Sequence, residues 1–595
     1  MEKKWLIRNT SKDIISIAKS SGVSEVIAKI LINRGIDNEI DIKKYMRAST
    51  EDLYDPFLMK DMAKAIDLIK LAIESNEKIV VYGDYDADGV TSTVIMYKAL
   101  KHCGALVEYY VPDREHEGYG INSDRIRKLK DEGFGVILTC DNGIAATEQV
   151  KLAKELGMTV IITDHHELPF DEDGLGVRTF KIPSADAVIN PKQEECNYPF
   201  KQLCGAGIAF KFVQALYIKL GINKEFVSEF IEIAGIGTIC DVVDLIDENR
   251  IIAKNALVML TNTKNLGLKC LKEILSINDK EIKSYHVGFQ IGPCINATGR
   301  LESAAISVEL LICEEESRAK ELAKILFDLN KKRQEMTTEN VKEVIELIQN
   351  STFKNDKVLV IYKDTIHESI AGIVAGRVRE TFNVPTIILT KGKENPKGSA
   401  RSIDEYNLFE ELIKCEELLE KFGGHPMAAG LSIKEENIEK LRKKLNLICK
   451  LTDEDIVPKV RIDERMPLKK INYEIIGELE LLEPYGKGNP SPLLAEKNIQ
   501  ILKISILGKN ANTLKVKCLM PGVNKWIDGI CFNKVEEFME MLKDRYGEDY
   551  MSYLTNPRGM KLDLIFSPQI NEYNGNKSIQ LKILEFKHSS SPFGS

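Results

Sequence analysis

Between Lys78 and Asp244, short β-branched runs alternate with polar loops and longer amphipathic stretches. The runs are KIVVYG, ALVEYYV, FGVILTC, MTVIIT and DAVIN. Strands alternating with helices in this way predict parallel βαβ units in a doubly wound sheet. From Ala304 through Asn350, apolar residues recur at every third or fourth position amid dense Lys and Glu, which predicts a connecting helix or helix pair. A second αβ block opens at VLVIY (Val358 to Tyr362), runs through PTIILT and closes near Leu451. From Val457 to Phe586 the pattern changes to short alternating runs, IQILKISILG, TLKVKCL, KWIDGICF, KLDLIFSPQI and KSIQLKILEF, which predict a small β-barrel. HSSSPFGS then reads as a disordered tail.

The 595 residues, 44% apolar and 29% charged, are too many for one core. At about 100 to 200 residues per domain, three or four domains are expected. Because 82 Lys and Arg face 90 Asp and Glu, the bulk charge of −8 does not point to nucleic acid, and a polyanion would need a local basic groove. Twelve Cys without paired C-x₂-C spacing read as reduced thiols instead of a structural zinc site. MEKKWLIRNTSKD carries no apolar core of a leader, and no run of membrane-spanning length occurs, so the expected protein is cytoplasmic and makes no membrane contact.

In an open parallel sheet, the loops that leave the carboxyl ends of the strands line the ligand crevice. Acids recur at such places: Asp84, Asp86 and Asp88 in GDYDADG, Asp141 after Val136 to Cys140, Asp164 with His165 and His166 after Thr159 to Thr163, and Asp241 after Gly235 to Cys240. Carboxylates gathered in one crevice repel by roughly 4 kcal/mol per pair at 4 Å with an effective dielectric near 20. Either some of them protonate or cations bind, and oxygen ligands with an imidazole suit Mg²⁺ or Mn²⁺. Taken singly, Asp84 or Asp88 could cap a helix, Asp141 before Asn-Gly could serve a turn, and the His pair could pack at a helix start.

DYDADG, CDNG, TDHH and ICDVVDL together resemble the motif series of the DHH phosphoesterase superfamily. GSARS (Gly398 to Ser402) and GGHPMAAG (Gly423 to Gly430) are similar to its accessory DHHA1 domain, and LEPYGKGNPSP (Leu482 to Pro492) to the entry into an OB-like domain. The resemblance covers roughly Leu53 to Phe586, and in this order it resembles the branch that degrades single-stranded DNA from the 5′ end. The implied fold is α/β and multidomain: a parallel-sheet DHH domain (53–303) after a helical lead-in (1–52), a connecting helix (304–352), an α/β DHHA1 domain (353–452), an OB-like β-barrel (453–587) and a tail (588–595).

The resemblance also implies roles. Asp84, Asp86, Asp88, Asp141, His165 and Asp241 would bind two divalent cations, Mn²⁺ or Mg²⁺, with Asp86 and Asp88 favoured over Asp84. His166 would stand near the scissile phosphate, and Asp164 would orient the imidazoles. Arg114, Ser399, Arg401 and Ser402 would grip the terminal phosphate and backbone, and Asn296, Arg300, His367 and His425 would line the strand's path. Implied partners are single-stranded DNA, a RecQ-type helicase and a single-strand-binding protein, with the chain acting as a monomer.

Two positions depart from the family pattern. Cys294 stands where Arg is usual, and IHESIAGIV surrounds His367 where Trp-His-x-Gly is usual. The bland readings are a surface charge for Arg401, a tight turn before a helix for GGHPMAAG, helix packing for the glycines of LCGAGIAFK, and core positions for Tyr485, Trp526 and Phe532. Two competing functions remain: a phosphodiesterase for oligoribonucleotides or cyclic dinucleotides, whose members usually stop after the DHHA1 part, and a non-catalytic replication scaffold, which would be expected to have lost the acids.

Overall fold

The computed structural model describes residues 3–589 apart from 115, 119, 173–177, 509, 521, 523–524 and 574. The described residues divide into two compact units, one formed by 53–243 with 247–458 and the other by 3–52 with 244–246 and 459–589.

In the first unit, strands β1 (Lys78–Tyr82), β2 (Val107–Tyr110), β3 (Phe134–Thr139), β4 (Thr159–Thr163) and β5 (Ala187–Ile189) form one sheet. Its order is β2-β1-β3-β4-β5, and every pairing is parallel. The near-continuous apolar runs follow from burial on both faces. On one side Val80, Ile137, Val160 and Ile162 join a core with Ile126, Leu129 and Val150. Helices α1 (Ala87–His102), α2 (Gly205–Leu220), α3 (Ile231–Cys240) and α4 (Asp247–Thr261) pack on one another in the same unit.

The run Gly235 to Cys240 is not a strand. It forms the end of α3, so Asp241 caps a helix and does not follow a sheet strand. The segment IEIAGIGTIC is buried on nearly every side. Such an all-apolar run has no period that separates helix from strand. The glycines give the reason for a helix here: a Cβ on Gly235 would lie 2.1 Å from Ala256 Cβ on α4.

Helix α5 (Gly292–Leu301) leads through Ala305–Ile312 to the 34-residue helix α6 (Glu316–Gln349), so a helix break at Cys313 to Glu315 interrupts the expected connector. A mixed sheet follows: β6 (Leu359–Tyr362), β7 (Thr386–Thr390), β8 (Lys397–Arg401), β9 (Leu419–His425) and β10 (Ala428–Ile433), in the order β9-β10-β8-β7-β6. GSARS therefore lies on a strand, and GGHPMAAG forms a hairpin between two strands instead of a turn before a helix.

In the second unit, Lys4–Ile7 pairs in parallel with Lys459–Ile462. Strands β11 (Leu494–Leu507), β12 (Thr513–Leu519), β13 (Trp526–Phe532), β14 (Lys561–Tyr573) and β15 (Asn576–His588) form a sheet with Glu464–Arg465. The order runs through β11-β12-β13-β15-β14, and β11 also pairs with β14, closing the ring. Of the expected tail, His588 ends β15 and Ser589 N–H donates to the Lys561 carbonyl, while 590–595 lie outside the described residues.

One buried ion pair ties the start of the first unit to the helices behind its acids. Lys211 on α2 and Glu248 on α4 are 3.1 Å apart with both side chains fully buried. Glu248 also accepts from Tyr54 N–H and the Tyr198 hydroxyl. Burial lowers the Lys211 pKa, and the Glu248 charge opposes that shift. Breaking such a pair strands a buried carboxylate. Lys211→Ala should therefore lower the unfolding free energy by about 3–5 kcal/mol in urea denaturation.

Candidate active site

The first acids sit where β1 passes into α1. Asp86 Oδ1 accepts the N–H groups of Asp88 and Gly89 at 2.9 and 3.0 Å, so it is the helix N-cap as well as a candidate ligand. Asp88 points the other way: its Oδ2 accepts Gly205 N–H at 2.6 Å and its Oδ1 accepts Ala206 N–H at 2.8 Å. The start of α2 thus holds Asp88, where the orphan amides and the helix dipole favour a carboxylate. The glycines of LCGAGIAFK, read as helix packing, serve this approach. A Cβ on Gly205 would lie 2.6 Å from Asp141 Cβ, and one on Gly237 of α3 would lie 2.7 Å from Asp88 Oδ1.

Asp141 follows β3 in the left-handed region, φ 64°, and its N–H donates to the Thr163 carbonyl at 3.0 Å. The turn before Asn142-Gly143 and the inward carboxylate are therefore one feature, and neither reading of CDNG excludes the other. His165 lies among the acids: its Nε2 is 3.0 Å from Asp141 Oδ1, 3.7 Å from Asp88 Oδ2 and 3.8 Å from Asp241 Oδ2. Asp164 turns away from them. Its Oδ1 accepts His165 N–H, His166 N–H and His166 Nδ1–H at 2.7, 3.1 and 2.7 Å, and its Oδ2 accepts Ile144 N–H at 2.9 Å.

Three overlapping donor sets result: Asp84, Asp86 and Asp141; Asp88, His165 and Asp241; and Asp141, His165 and His166, with the ligand atoms of each set within 4.8 Å of one another. Shared Asp141 and shared His165 join the sets, as a paired-ion site requires. Asp84, ranked behind its neighbours by sequence, has a buried Oδ1 that accepts no hydrogen bond from the described residues. Hard carboxylate oxygens with neutral imidazole fit Mn²⁺ or Mg²⁺.

The electrostatics match that fit. Burial first, then the Asp86 charge, raises Asp84 well above the usual carboxylate range and Asp88 to about 6. Burial and Asp88 raise Asp141 well above its ordinary value and Asp241 to about 8. Burial and the adjacent His166 charge lower His165 to about 3, leaving a neutral ring with a lone pair. Burial opposes charge on His166 as well, but the Asp164 hydrogen bond prevails and raises it to about 9. Asp164 is itself held below its ordinary value because His166 outweighs its burial.

Basic groups, as well as the acids Asp84 and Asp86, stand near Tyr85. Arg114 lies 5.1 Å from the Tyr85 ring centroid. On α5, Asn296 Oδ1 accepts Ala87 N–H at 2.9 Å, and Arg300 Nη1 donates to the Ser369 carbonyl at 2.5 Å. Burial first, then Arg114 and Arg333, lowers Arg300 to about 10. His367 starts the short turn before helix α7 (Ala371–Phe382) and bonds Ser369 Oγ through Nδ1 at 2.7 Å. Beside that helix, Ser399 Oγ and Arg401 Nη2 approach the Gly372 position to 3.5 and 2.9 Å of where a Cβ would stand. His425 is exposed at the end of β9. Ser402 differs from these: it is 1% exposed and its hydroxyl donates to the Tyr406 carbonyl at 2.6 Å, within the loop that follows β8.

The sequence reading passed over Arg333. Cys294, in the usual place of an Arg, is buried and receives Asn330 Nδ2 at 3.4 Å. Asn330 Oδ1 in turn accepts Nε and Nη2 of Arg333 at 3.2 and 2.8 Å. A guanidinium from α6 thus reaches the neighbourhood of the missing one. The three-residue spacing of Asn330 and Arg333 on one helix face was the available signal. In the second unit, Trp526 and Phe532 are 57% and 49% exposed and therefore not core, whereas Tyr485 is partly buried with its hydroxyl on the Leu479 carbonyl. Lys517 Nζ lies 4.5 Å over the Trp526 ring.

Three protein-family models match the chain: the DHH family N-terminal domain over 78–238, the DHHA1 domain over 355–451 and the RecJ OB domain over 462–585. The single-stranded-DNA-specific exonuclease RecJ of Bacillus subtilis is 39% identical over 98% of this chain and 70% of its own length. That of Haemophilus influenzae is 31% identical over 96% of this chain and 97% of its own length. The crystal structure of RecJ from Thermus thermophilus in complex with Mn²⁺ superposes with a TM-score of 0.80 at 25% identity, over 99% of this chain and 80% of that one. A second structure from the same organism is a complex with Mg²⁺. With acids, arginines and all three domain types in one polypeptide, the chain belongs to the RecJ family.

Proposed function

We propose that this chain is a single-strand-specific 5′ to 3′ exodeoxyribonuclease that hydrolyses phosphodiester bonds with two divalent cations and releases mononucleotides in DNA repair and recombination. One observation carries the reading: seven acid and imidazole groups meet in overlapping donor sets within the unit that also gathers Arg114, Arg300, Arg333 and Arg401. We assign 53–303 to the catalytic domain, 353–452 to the DHHA1 domain and 453–587 to strand binding.

Divalent cations bound there supply a water of lowered pKa and neutralise charge on the phosphate oxygens. Asp84, Asp86, Asp88, Asp141, His165 and Asp241 hold them. Asp164 fixes His166 through Nδ1, leaving Nε2 to donate to a phosphate oxygen, and the raised pKa of His166 keeps that donor charged at neutral pH. Arg114, Ser399 and Arg401 hold the 5′ phosphate, for which a guanidinium offers a forked pair of donors. Arg300 and Arg333, one lowered to about 10 and the other below its ordinary value mainly by burial, gain most when an anionic backbone arrives. Exposed Trp526 and Phe532 on one face of β13 offer stacking surfaces to unpaired bases.

A nuclease confined to single strands needs unwound ends, so we assign a RecQ-type helicase and a single-strand-binding protein as the suppliers and the cytoplasm as the place. The chain carries all its candidate groups itself and is assigned as a monomer. Among the described residues no helix is long and apolar enough to cross a membrane.

The deciding assay compares 5′-phosphorylated single-stranded DNA, its duplex and short dinucleotides with Mn²⁺. Mononucleotide release from the 5′ end of the single strand is expected, and a preference for dinucleotides would contradict the proposal. Asp141→Asn should retain its melting temperature within a few degrees and lose more than about 100-fold in turnover, beyond the cost of an outer-shell change. Undiminished turnover would remove Asp141 from the site.

Stability should respond to pH in the metal-free protein. Asp241 at about 8 binds more protons folded than unfolded, and so does His166 at about 9, so between pH 7 and pH 9 stability falls as pH rises. Saturating Mn²⁺ replaces the protons held by Asp241 and the other acids, so the rise in Tm on adding Mn²⁺ should be larger at pH 8.5 than at pH 6, as read by calorimetry. An equal rise at both values would contradict the coupling.

A further inference from the structure

One exposed aromatic pair in the first unit has no part in the chemistry described above. Tyr285 and Phe289 are 60% and 64% exposed, and their rings stack with centroids 5.1 Å apart and planes inclined by 25°. Tyr285 precedes and Phe289 lies within a π-helical turn, Val287–Ile291, that runs directly into α5. Wider winding brings residues four apart almost into line, which is how this turn presents two parallel rings outward. Two large rings left in water have lost the apolar burial that usually places them in a core.

The turn is seated against the end of α3. Cys240 Sγ lies 4.0 Å from the Val287 carbonyl, a Cβ on Gly292 would lie 2.3 Å from Cys240 Sγ, and a Cβ on Gly288 would lie 3.8 Å from Ile239 Cγ2. Asp241 is the next residue after Cys240, so the pair is held a short distance from a candidate ligand. The helix that continues from the turn carries Asn296 and Arg300 into the same site. Lys280, Glu281 and Lys283 all lie within electrostatic reach of His286, the residue after Tyr285. Flat, exposed aromatics at the head of the helix that carries Arg300 match the chemistry of an unpaired polynucleotide, whose bases stack and whose phosphates are anionic.

We propose that Tyr285 and Phe289 form a stacking platform for a base of the single-stranded DNA substrate as the strand approaches the acids, and that they are substrate-positioning residues of the reaction. The proposal rests on the nuclease reading above.

The test uses the full-length protein with Mn²⁺ and 5′-phosphorylated oligothymidylate in which one abasic nucleotide is moved step by step along the strand. In the wild type, KM should rise about tenfold when the abasic position meets the platform, since stacking is worth about 1–3 kcal/mol per base. Tyr285→Ala with Phe289→Ala should raise KM by a similar factor on the intact strand, leave kcat within about twofold and lose the abasic penalty at that position. Phe289→Leu, which keeps volume without a ring, should show part of the same change at unaltered Tm, and Phe289→Tyr should retain wild-type behaviour. The platform is refuted by an unchanged KM, by a fall in kcat alone, or by a variant that keeps the wild-type abasic profile. If the wild type binds the strand without cutting it, the nuclease reading fails separately, and the same scan read as Kd by fluorescence anisotropy still decides the platform.

Discussion

Repulsion among converging carboxylates is the constraint to which the rest of the first unit answers. Asp88, Asp141 and Asp241 meet around the His165 imidazole, Asp84 and Asp86 join them through Asp141, and each pair at about 4 Å costs about 4 kcal/mol at an effective dielectric near 20. Left alone, such a set takes up protons, as the raised positions of Asp84, Asp88, Asp141 and Asp241 describe. Divalent cations remove the same repulsion without protons. Asp164 lies outside this group: bonded to His166 and the Ile144 amide, it stays ionised and serves as the anchor of the imidazoles.

The scaffold is built to tolerate that charge. The sheet sets β1, β3 and β4 side by side at its centre, where the loops leaving their carboxyl ends deliver acids from separated parts of the sequence. The first amides of α2 grip Asp88, and the amides at the start of α1 are capped by Asp86. Gly205 and Gly237 leave the room these approaches need. Near Asp86 the sign of charge reverses, and α5, α6 and the β8 strand bring Arg300, Arg333 and Arg401 within reach of one another. A bound phosphodiester would relieve the imbalance of both groups, and the acids and these arginines lie in one unit.

Much of this was legible in the sequence because the parallel strands are short, β-branched and followed at once by acids. KIVVYGDYDADG states both the strand and the ligands in one short run of letters. The helix ending at Asp241 was not legible, since IEIAGIGTIC is apolar throughout and only its packing against α4 shows which period applies. Nor was the grip of α2 on Asp88, because it depends on two backbone amides far along the chain. Arg333 escaped notice for a different reason: a basic residue on a Lys-rich and Glu-rich helix looks like surface until Asn330 turns it toward Cys294. Ser402 shows the opposite case, a motif residue whose hydroxyl donates to the Tyr406 carbonyl, a bond that its place in GSARS does not announce.

The central claim, that these acids and imidazoles cage a pair of ions, is tested most directly by anomalous diffraction at the manganese edge from crystals equilibrated with Mn²⁺. The account predicts two peaks about 3.5–4 Å apart among Asp84, Asp86, Asp88, Asp141, His165, His166 and Asp241. Anomalous density elsewhere at saturating Mn²⁺, with none in that cluster, would contradict it.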